Sequence, residues 1–173
     1  MEDRSTAAPA VVDLCTESFN SPAATEMIEA ANRTNEALYG HADQSPLSPD
    51  EFARERRGRF IVAYLDGVPV GCGGYRRHHD EANGVTAEIK RMFVAAHARR
   101  RGIARALLSR LERDARADGY RAVILDTGSK QHAAHALYED SGYRRTAGFG
   151  IYRDKPGNRA YLKSLISADD RNS

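Results

Sequence analysis

The chemistry is densest at residues 99–104, Arg-Arg-Arg-Gly-Ile-Ala. Three guanidinium groups stand before a glycine that lets backbone approach a ligand closely, and Ala104 keeps the next turn slim. At the start of a helix the first N–H groups are unpaired and carry about half a positive charge. Arg99, Arg100, Arg101, Gly102, Ile103 and Ala104 together would then form a cradle for a pyrophosphate. A run of three arginines is by itself most often a solvated face; its place after a strand and before an amphipathic helix is what points to a ligand. The loop is not a P-loop, because no Gly-Lys-Ser/Thr comes after it. Nor is it a dinucleotide fingerprint, because two of the three glycines are absent.

Glu88 is the second notable residue. It stands between Ala87 and Ile89 in a strand-like run, where a carboxylate is costly unless it is used or paired. It is either a proton acceptor or an ion-pair member. His78 and His79 are adjacent, so on a strand they face opposite ways and cannot chelate together. A solvated loop or the rim of a substrate groove suits them better. His132 and His135, three apart on a helix, have no carboxylate completing a site. Cys72, within Gly71-Cys72-Gly73-Gly74, has no evident base and reads as packing. No spacing reads as a metal site.

These residues need elements to hold them. Ser21-Pro22 opens a helix running to about Tyr39. The Ser48-to-Glu51 capping box opens a second, short helix ending near Gly58. Strand-forming runs at Arg59–Leu65 and 68–76 flank Asp66-Gly67, which predicts a hairpin with a type I′ turn. Asn83-Gly84 is a further turn before the strand Thr86–Val94. Residues 103–117 carry Ala104, Leu107, Leu108, Leu111 and Ala115 on one helical face. The apolar run 122–125 predicts a buried strand, 129–141 a helix, and 143–152 with 159–165 a final antiparallel pair. The unit from 86 to 125 is a strand–helix–strand crossover, hence one parallel pair in an otherwise antiparallel sheet. Residues 1–20 read as an ill-defined arm or short edge strand, and 168–173 as a fraying polar tail. The whole is one mixed α/β (α+β) domain spanning residues 1–173.

The pattern Arg99-x-x-Gly102-x-Ala104, with Ala-Leu-Leu after it and Glu-Ile-Lys-Arg-Met-Phe-Val before it at 88–94, resembles the signature of the GNAT superfamily of acetyl-CoA-dependent N-acetyltransferases. A second match lies at Gln131-x-x-Ala134-x-x-x-Tyr138, where the family often has Asn in place of Gln131. The resemblance covers about residues 60–165. It implies a twisted, mostly antiparallel sheet with one splayed parallel pair, flanked by helices. It also implies acetyl-CoA as co-substrate, direct acetyl transfer to a primary amine in a ternary complex, and no metal. The arginine loop would hold the CoA pyrophosphate. Met92, Phe93 and Val94 would meet the pantetheine arm, the first and last through main chain, and Gln131 would also contact the cofactor.

Glu88 would act as general base. An alkylammonium of pKa ~10.4 costs about 4.6 kcal/mol to hold neutral at pH 7, and a carboxylate can take that proton. Tyr138 would act as general acid toward the departing thiolate, the alternative being a tyrosine that merely anchors its helix. Asp43, Glu51, His78, His79, Phe149 and Tyr152 are candidates for lining the acceptor groove. The rival function is a non-catalytic acyl-CoA-binding or sensing module of the same fold.

Composition sets the outer bounds. The chain has 173 residues, one domain's worth, with 41% hydrophobic and 29% charged residues, which excludes a wholly disordered chain. With 26 basic and 24 acidic side chains the formal charge is +2, too even for a dedicated nucleic-acid binder. No apolar run is long enough for a membrane span, and Met-Glu-Asp-Arg does not read as a secretory signal. Two unlike cysteines suit free thiols in a reducing cytoplasm. The expected partner is a small-molecule amine or a protein amine, with neither nucleic acid nor membrane; a homodimer is left open.

Overall fold

The computed structural model describes residues 11–167 and Asp170. The strands are β1 (Val12–Thr16), β2 (Arg59–Leu65), β3 (Val68–Arg77), β4 (Thr86–Val94), β5 (Ala122–Gly128), β6 (Arg144–Thr146) and β7 (Asn158–Ser164). The helices are α1 (Pro22–Tyr39), α2 (Ile103–Ala117) and α3 (His132–Asp140). One sheet runs β1-β2-β3-β4-β5-β7-β6, antiparallel throughout except for β4 and β5.

Local signals act as the sequence predicts in most places. Ser21 caps α1 by accepting from the Ala24 amide at 3.1 Å. Asp66 and Gly67 both have positive φ, 50° and 79°, as a type I′ hairpin requires. Strand alternation splits the core in two. Ile61, Tyr75, Ile89, Val123 and Leu125 pack under Leu107, Leu108 and Leu111 of α2. On the opposite face Phe60, Val62 and Cys72 pack with Ala24 and Met27 of α1 and with Phe52.

Three expectations change. The second N-terminal helix is a pair of 3₁₀ turns, Pro49–Phe52 and Arg54–Arg56, split by an extended Ala53. A helix this short has little stability of its own, and here the anchors decide: Phe52 stacks on Phe19 at 4.7 Å, and Glu51 turns to Arg76. The segment expected as a strand over 143–152 pairs only at Arg144–Thr146. The chain then folds across itself, so close at Gly148 that a Cβ would lie 2.4 Å from the Arg153 carbonyl. That crossing turns Phe149 inward. α3 begins three residues late because the Ser129 amide is bonded to Gly157. The N-terminal arm, where described, supplies β1; residues 1–10 and most of the polar tail lie outside the described residues.

Candidate functional site

β4 and β5 pair over only three residues, ending at Glu88 opposite Ile124. From Ile89 onward β5 no longer pairs with β4, while β4 continues against β3 to Val94. The parallel pair therefore opens into a fork toward its C-terminal end. A bulge in β4 deepens it. Phe93 faces Cys72 and Lys90 faces Gly74, so Arg91 and Met92 together oppose Gly73. Arg91 takes a φ of 59°, and its carbonyl accepts from the Cys72 thiol at 3.2 Å. Burial pushes that thiol up to about 12, so it remains a neutral donor. The bulge also breaks alternation: adjacent Lys90 and Arg91 both turn toward the α1 side.

The arginine loop lies just past β4. Gly102 is the N-cap of α2 at φ 75°, and no side chain caps it. The amides of Gly102, Ile103, Ala104 and Arg105 donate no hydrogen bond among the described residues; the first to do so is Ala106, to Gly102. An added Cβ at Gly102 would meet nothing within 4 Å, so the space before these donors is open. Free donors, positive end of a helix dipole and exposed Arg100 and Arg101 fit a pyrophosphate. Arg99 is partly engaged, its Nε donating to the Val94 carbonyl at 3.1 Å. Met92 and Val94 pack toward α2 and Phe93 toward α1. Gln131 lies opposite α1, with its side-chain amide 3.5 Å from Asn35.

Tyr138 is buried, its ring against Tyr143 and Tyr161. Its hydroxyl makes no hydrogen bond among the described residues. Burial raises its pKa, and the nearby charge of Asp126 raises it further.

On the α1 side of the fork lies a dense charged cluster. Glu88 is 4% exposed and has three cationic or ionisable neighbours: Arg76 at 3.4 Å, Lys90 at 3.4 Å and His78 at 3.5 Å. Burial alone would raise its pKa, but the His78 hydrogen bond and the charges of Lys90 and Arg76 prevail and hold it at about 2. Lys90 also donates to Ser45 at 3.0 Å and faces Asp126 at 3.7 Å. Arg91 pairs with Asp43, which accepts from the Tyr152 hydroxyl at 3.1 Å. Arg76 reaches the Pro46 carbonyl and Glu51, tying the loop after α1 to the sheet.

The six acceptor-groove candidates thus divide. Asp43 and Tyr152 stand beside Arg91. His78 bonds through its backbone to Thr86, at the closed end of the fork, with its ring on Phe149 at 5.1 Å. Glu51 and the exposed His79 form a pair 2.5 Å apart farther out at that end. Arg76, Ser45 and Asp126 carry no signal in the sequence, whereas Lys90 and Arg91 are legible there as cations near Glu88, and Lys90 does lower it. Among the described residues no three His, Cys, Asp or Glu side chains converge as metal ligands would.

Residues 24–143 match the acetyltransferase (GNAT) family. The chain belongs to that family. An IAA acetyltransferase from Azospirillum brasilense is 36% identical over 145 residues, 84% of this chain and 92% of that protein. An N-acetylaspartate synthetase from Danio rerio is 42% identical over 107 residues, 62% of this chain but 37% of that longer protein. Among solved structures, a candidate acyl-CoA N-acyltransferase from Klebsiella pneumoniae aligns with a TM-score of 0.73 at 26% identity, covering 90% of this chain and 98% of that one. An acetyltransferase from Salmonella typhimurium with its cofactor acetyl-CoA shares the fold, with a TM-score of 0.66 at 18% identity over 90% and 95% of the two chains. This GNAT protein is an acetyltransferase. No helix among its described residues is long and apolar enough to cross a membrane.

Proposed function

We propose that this GNAT acetyltransferase moves the acetyl group of acetyl-CoA directly to a primary amine held on the α1 side of the fork. The observation that carries this reading is the β4–β5 fork, with an unpaired strand edge at residues 89–94 leading to the bare amides of α2. A pantetheine arm laid along that edge would put its thioester where β4 and β5 part, between Tyr138 and the charged cluster. Residues 99–104 would hold the pyrophosphate through backbone amides, Met92 and Val94 would pair with the arm, and Phe93 and Gln131 would flank it.

Tyr138 would donate a hydrogen bond to the departing sulfur. Its raised pKa favours holding that bond over giving the proton up outright, because a thiolate of pKa ~8.5 is the weaker base of the two. Glu88, expected as general base, is held by cations and is a poor proton acceptor at about 2. Its surroundings support a positioning role: it neutralises Lys90 and Arg76 beside the acceptor.

The cluster's mixed charge points to the acceptor class. Carboxylates suit an ammonium, and the N-acetylaspartate synthetase relatives make an α-amino acid the first candidate to test. A mass-spectrometric screen of amino acids, polyamines and peptide amines for the gain of one acetyl group, with CoA release measured in parallel, tests the reading. CoA release stimulated by none of these amines would remove it. Two free thiols and near-balanced charge support a reducing, cytoplasmic setting and argue against nucleic-acid binding.

A further inference from the structure

We infer that Asp126 of β5, and not Glu88, takes the proton from the acceptor ammonium. This rests on the acetyl-transfer reading above.

The first argument is position. Ile124 is the last β5 residue paired with β4, and Asp126 is the next residue on the same face. It therefore stands just beyond the branch point, on the wall of the fork. Its backbone is fixed on the other side against Ala160 of β7. Glu88 lies one step back, at the last paired position.

The second argument is company. Glu88 touches Arg76, His78 and Lys90, which leave it no room for another positive charge. Among the described residues Asp126 has one cationic neighbour, Lys90 at 3.7 Å, and Lys90 is shared with Glu88 at 3.4 Å. Among the described residues the other groups facing Asp126 are Glu88 of β4, Asp43 from the loop after α1, Tyr152 from the turn before β7 and Tyr138 from α3. None of these is a cation, so an ammonium entering the fork meets Asp126 as the carboxylate with least opposing charge.

The third argument is basicity. Burial raises Asp126, Lys90 lowers it, and Glu88 and Asp43 raise it; the sum lies above the ordinary aspartate value. Two carboxylates flanking one lysine are thus driven apart, and the raised one is the better base near neutral pH.

Protons and electrons balance across the step. The ammonium gives one proton to the Asp126 carboxylate. The freed nitrogen lone pair forms the N–C bond to the acetyl carbon while the C–S bond breaks and its electron pair goes to sulfur. The second nitrogen proton leaves to water as the amide forms, the thiolate held by the Tyr138 hydroxyl takes a proton from water to leave as the CoA thiol, and Asp126 returns its proton to solvent after the amide leaves.

Two probes, compared at saturating amine so that capture of the cation does not enter, separate proton removal from the rest of the transfer. Ethylamine is an ammonium at neutral pH; hydroxylamine is not and needs no base before it attacks. CoA release at pH 7 is measured with each for wild type, Asp126→Asn and Glu88→Gln. Asp126→Asn should lose about 10²–10⁴-fold in kcat at saturating ethylamine, recover as pH rises, and keep the hydroxylamine rate within a few-fold. Glu88→Gln should affect both probes alike. Equal losses with both probes for Asp126→Asn, or a selective ethylamine loss in Glu88→Gln, overturns the assignment. Acetyl-CoA-induced thermal shift reports folding, and Asp126→Ser replaces Asp126→Asn should that variant not fold. A wild type inert to both probes while still stabilised by acetyl-CoA takes away the transfer reading itself, and the assignment falls with it. A wild type active with hydroxylamine alone has no working proton acceptor, which also overturns it.

Discussion

Lys90 stands between two carboxylates, 3.4 Å from Glu88 on its own strand and 3.7 Å from Asp126 across the fork. Its side chain is only 5% exposed. Among the described residues it is the one cation both acids share, so its removal leaves two buried carboxylates short of a partner. Lys90→Met is expected to cost about 3–5 kcal/mol, a Tm fall of roughly 10 °C. Lys90→Met combined with Glu88→Gln should cost less than the two singles added together. A strictly additive pair in denaturant titrations would mean that the lysine and the glutamate act independently.

Glu88 and Asp126 make opposite predictions for stability against pH. Glu88 is lowered in the fold from 4.5 to about 2. Its stabilisation is present above about 4.5 and lost as pH falls toward 2. Asp126 is raised, so its contribution runs the other way: present at low pH and lost as pH rises through the folded value. Glu88→Gln should therefore destabilise at pH 7 and flatten the acid limb of the stability curve. Asp126→Asn should be neutral or stabilising at pH 7. Urea unfolding of both variants from pH 7 to pH 3 reads this directly; an Asp126→Asn protein less stable than Glu88→Gln at pH 7 would reverse the assignment of the two environments.

The loop and the fork were legible because their signals are local. Arg99-x-x-Gly102-x-Ala104 needs only a strand before it and a helix after it, and both are written in periodicity. The charged cluster was not legible, because its members converge from β3, β4, β5 and two loops. Arg91 is the clearest case. Alternation from Glu88 and Lys90 sends it to the α2 core; only the bulge opposite Gly73 turns it to Asp43. Asp126 sits at the edge of an apolar run, and nothing in its neighbours marks the end of the β4–β5 pairing. The two 3₁₀ turns were read as a helix because the capping box is real, the Ser48 amide bonding Glu51 at 2.9 Å. Beyond that box the anchoring of Phe52 in the α1-side core and the ion pair from Arg76 to Glu51 set the path of the chain.

The cradle at Gly102 can be tested by binding alone. Acetyl-CoA at about 100 times its Kd should stabilise the protein by about 2.7 kcal/mol. Gly102→Glu puts a carboxylate before the free amides of α2 and forces a side chain into φ 75°. It should abolish most of the acetyl-CoA-dependent Tm shift. Gly102→Ala carries the same strain, roughly 1–2 kcal/mol, without charge, and has open space for its methyl. It should lower the Tm yet keep most of the shift. Equal losses of the shift in the two variants would point to backbone geometry as the whole effect, with electrostatics contributing nothing.

Tyr138→Phe removes one oxygen from a ring held by Tyr143 and Tyr161, with centroids at 5.7 and 5.8 Å. The hydroxyl makes no hydrogen bond to protein among the described residues, so the fold loses little and the Tm should move by less than about 2 °C, as for a change well under 1 kcal/mol. Acetyl-CoA affinity should also hold, because its proposed contacts are to backbone. The loss should appear in the chemical step. A donor that only holds the developing thiolate is worth roughly 10²–10³-fold in rate, while a full general acid spans about 10²–10⁴-fold. A solvent isotope effect separates them. A hydrogen-bond donor keeps its proton through the step, and the isotope effect on the single-turnover rate is then the same in wild type and variant. A true proton donor gives the wild type an isotope effect that the phenylalanine variant lacks. The raised pKa of Tyr138 favours the first outcome, and an unchanged single-turnover rate in Tyr138→Phe would take the residue out of the chemistry altogether.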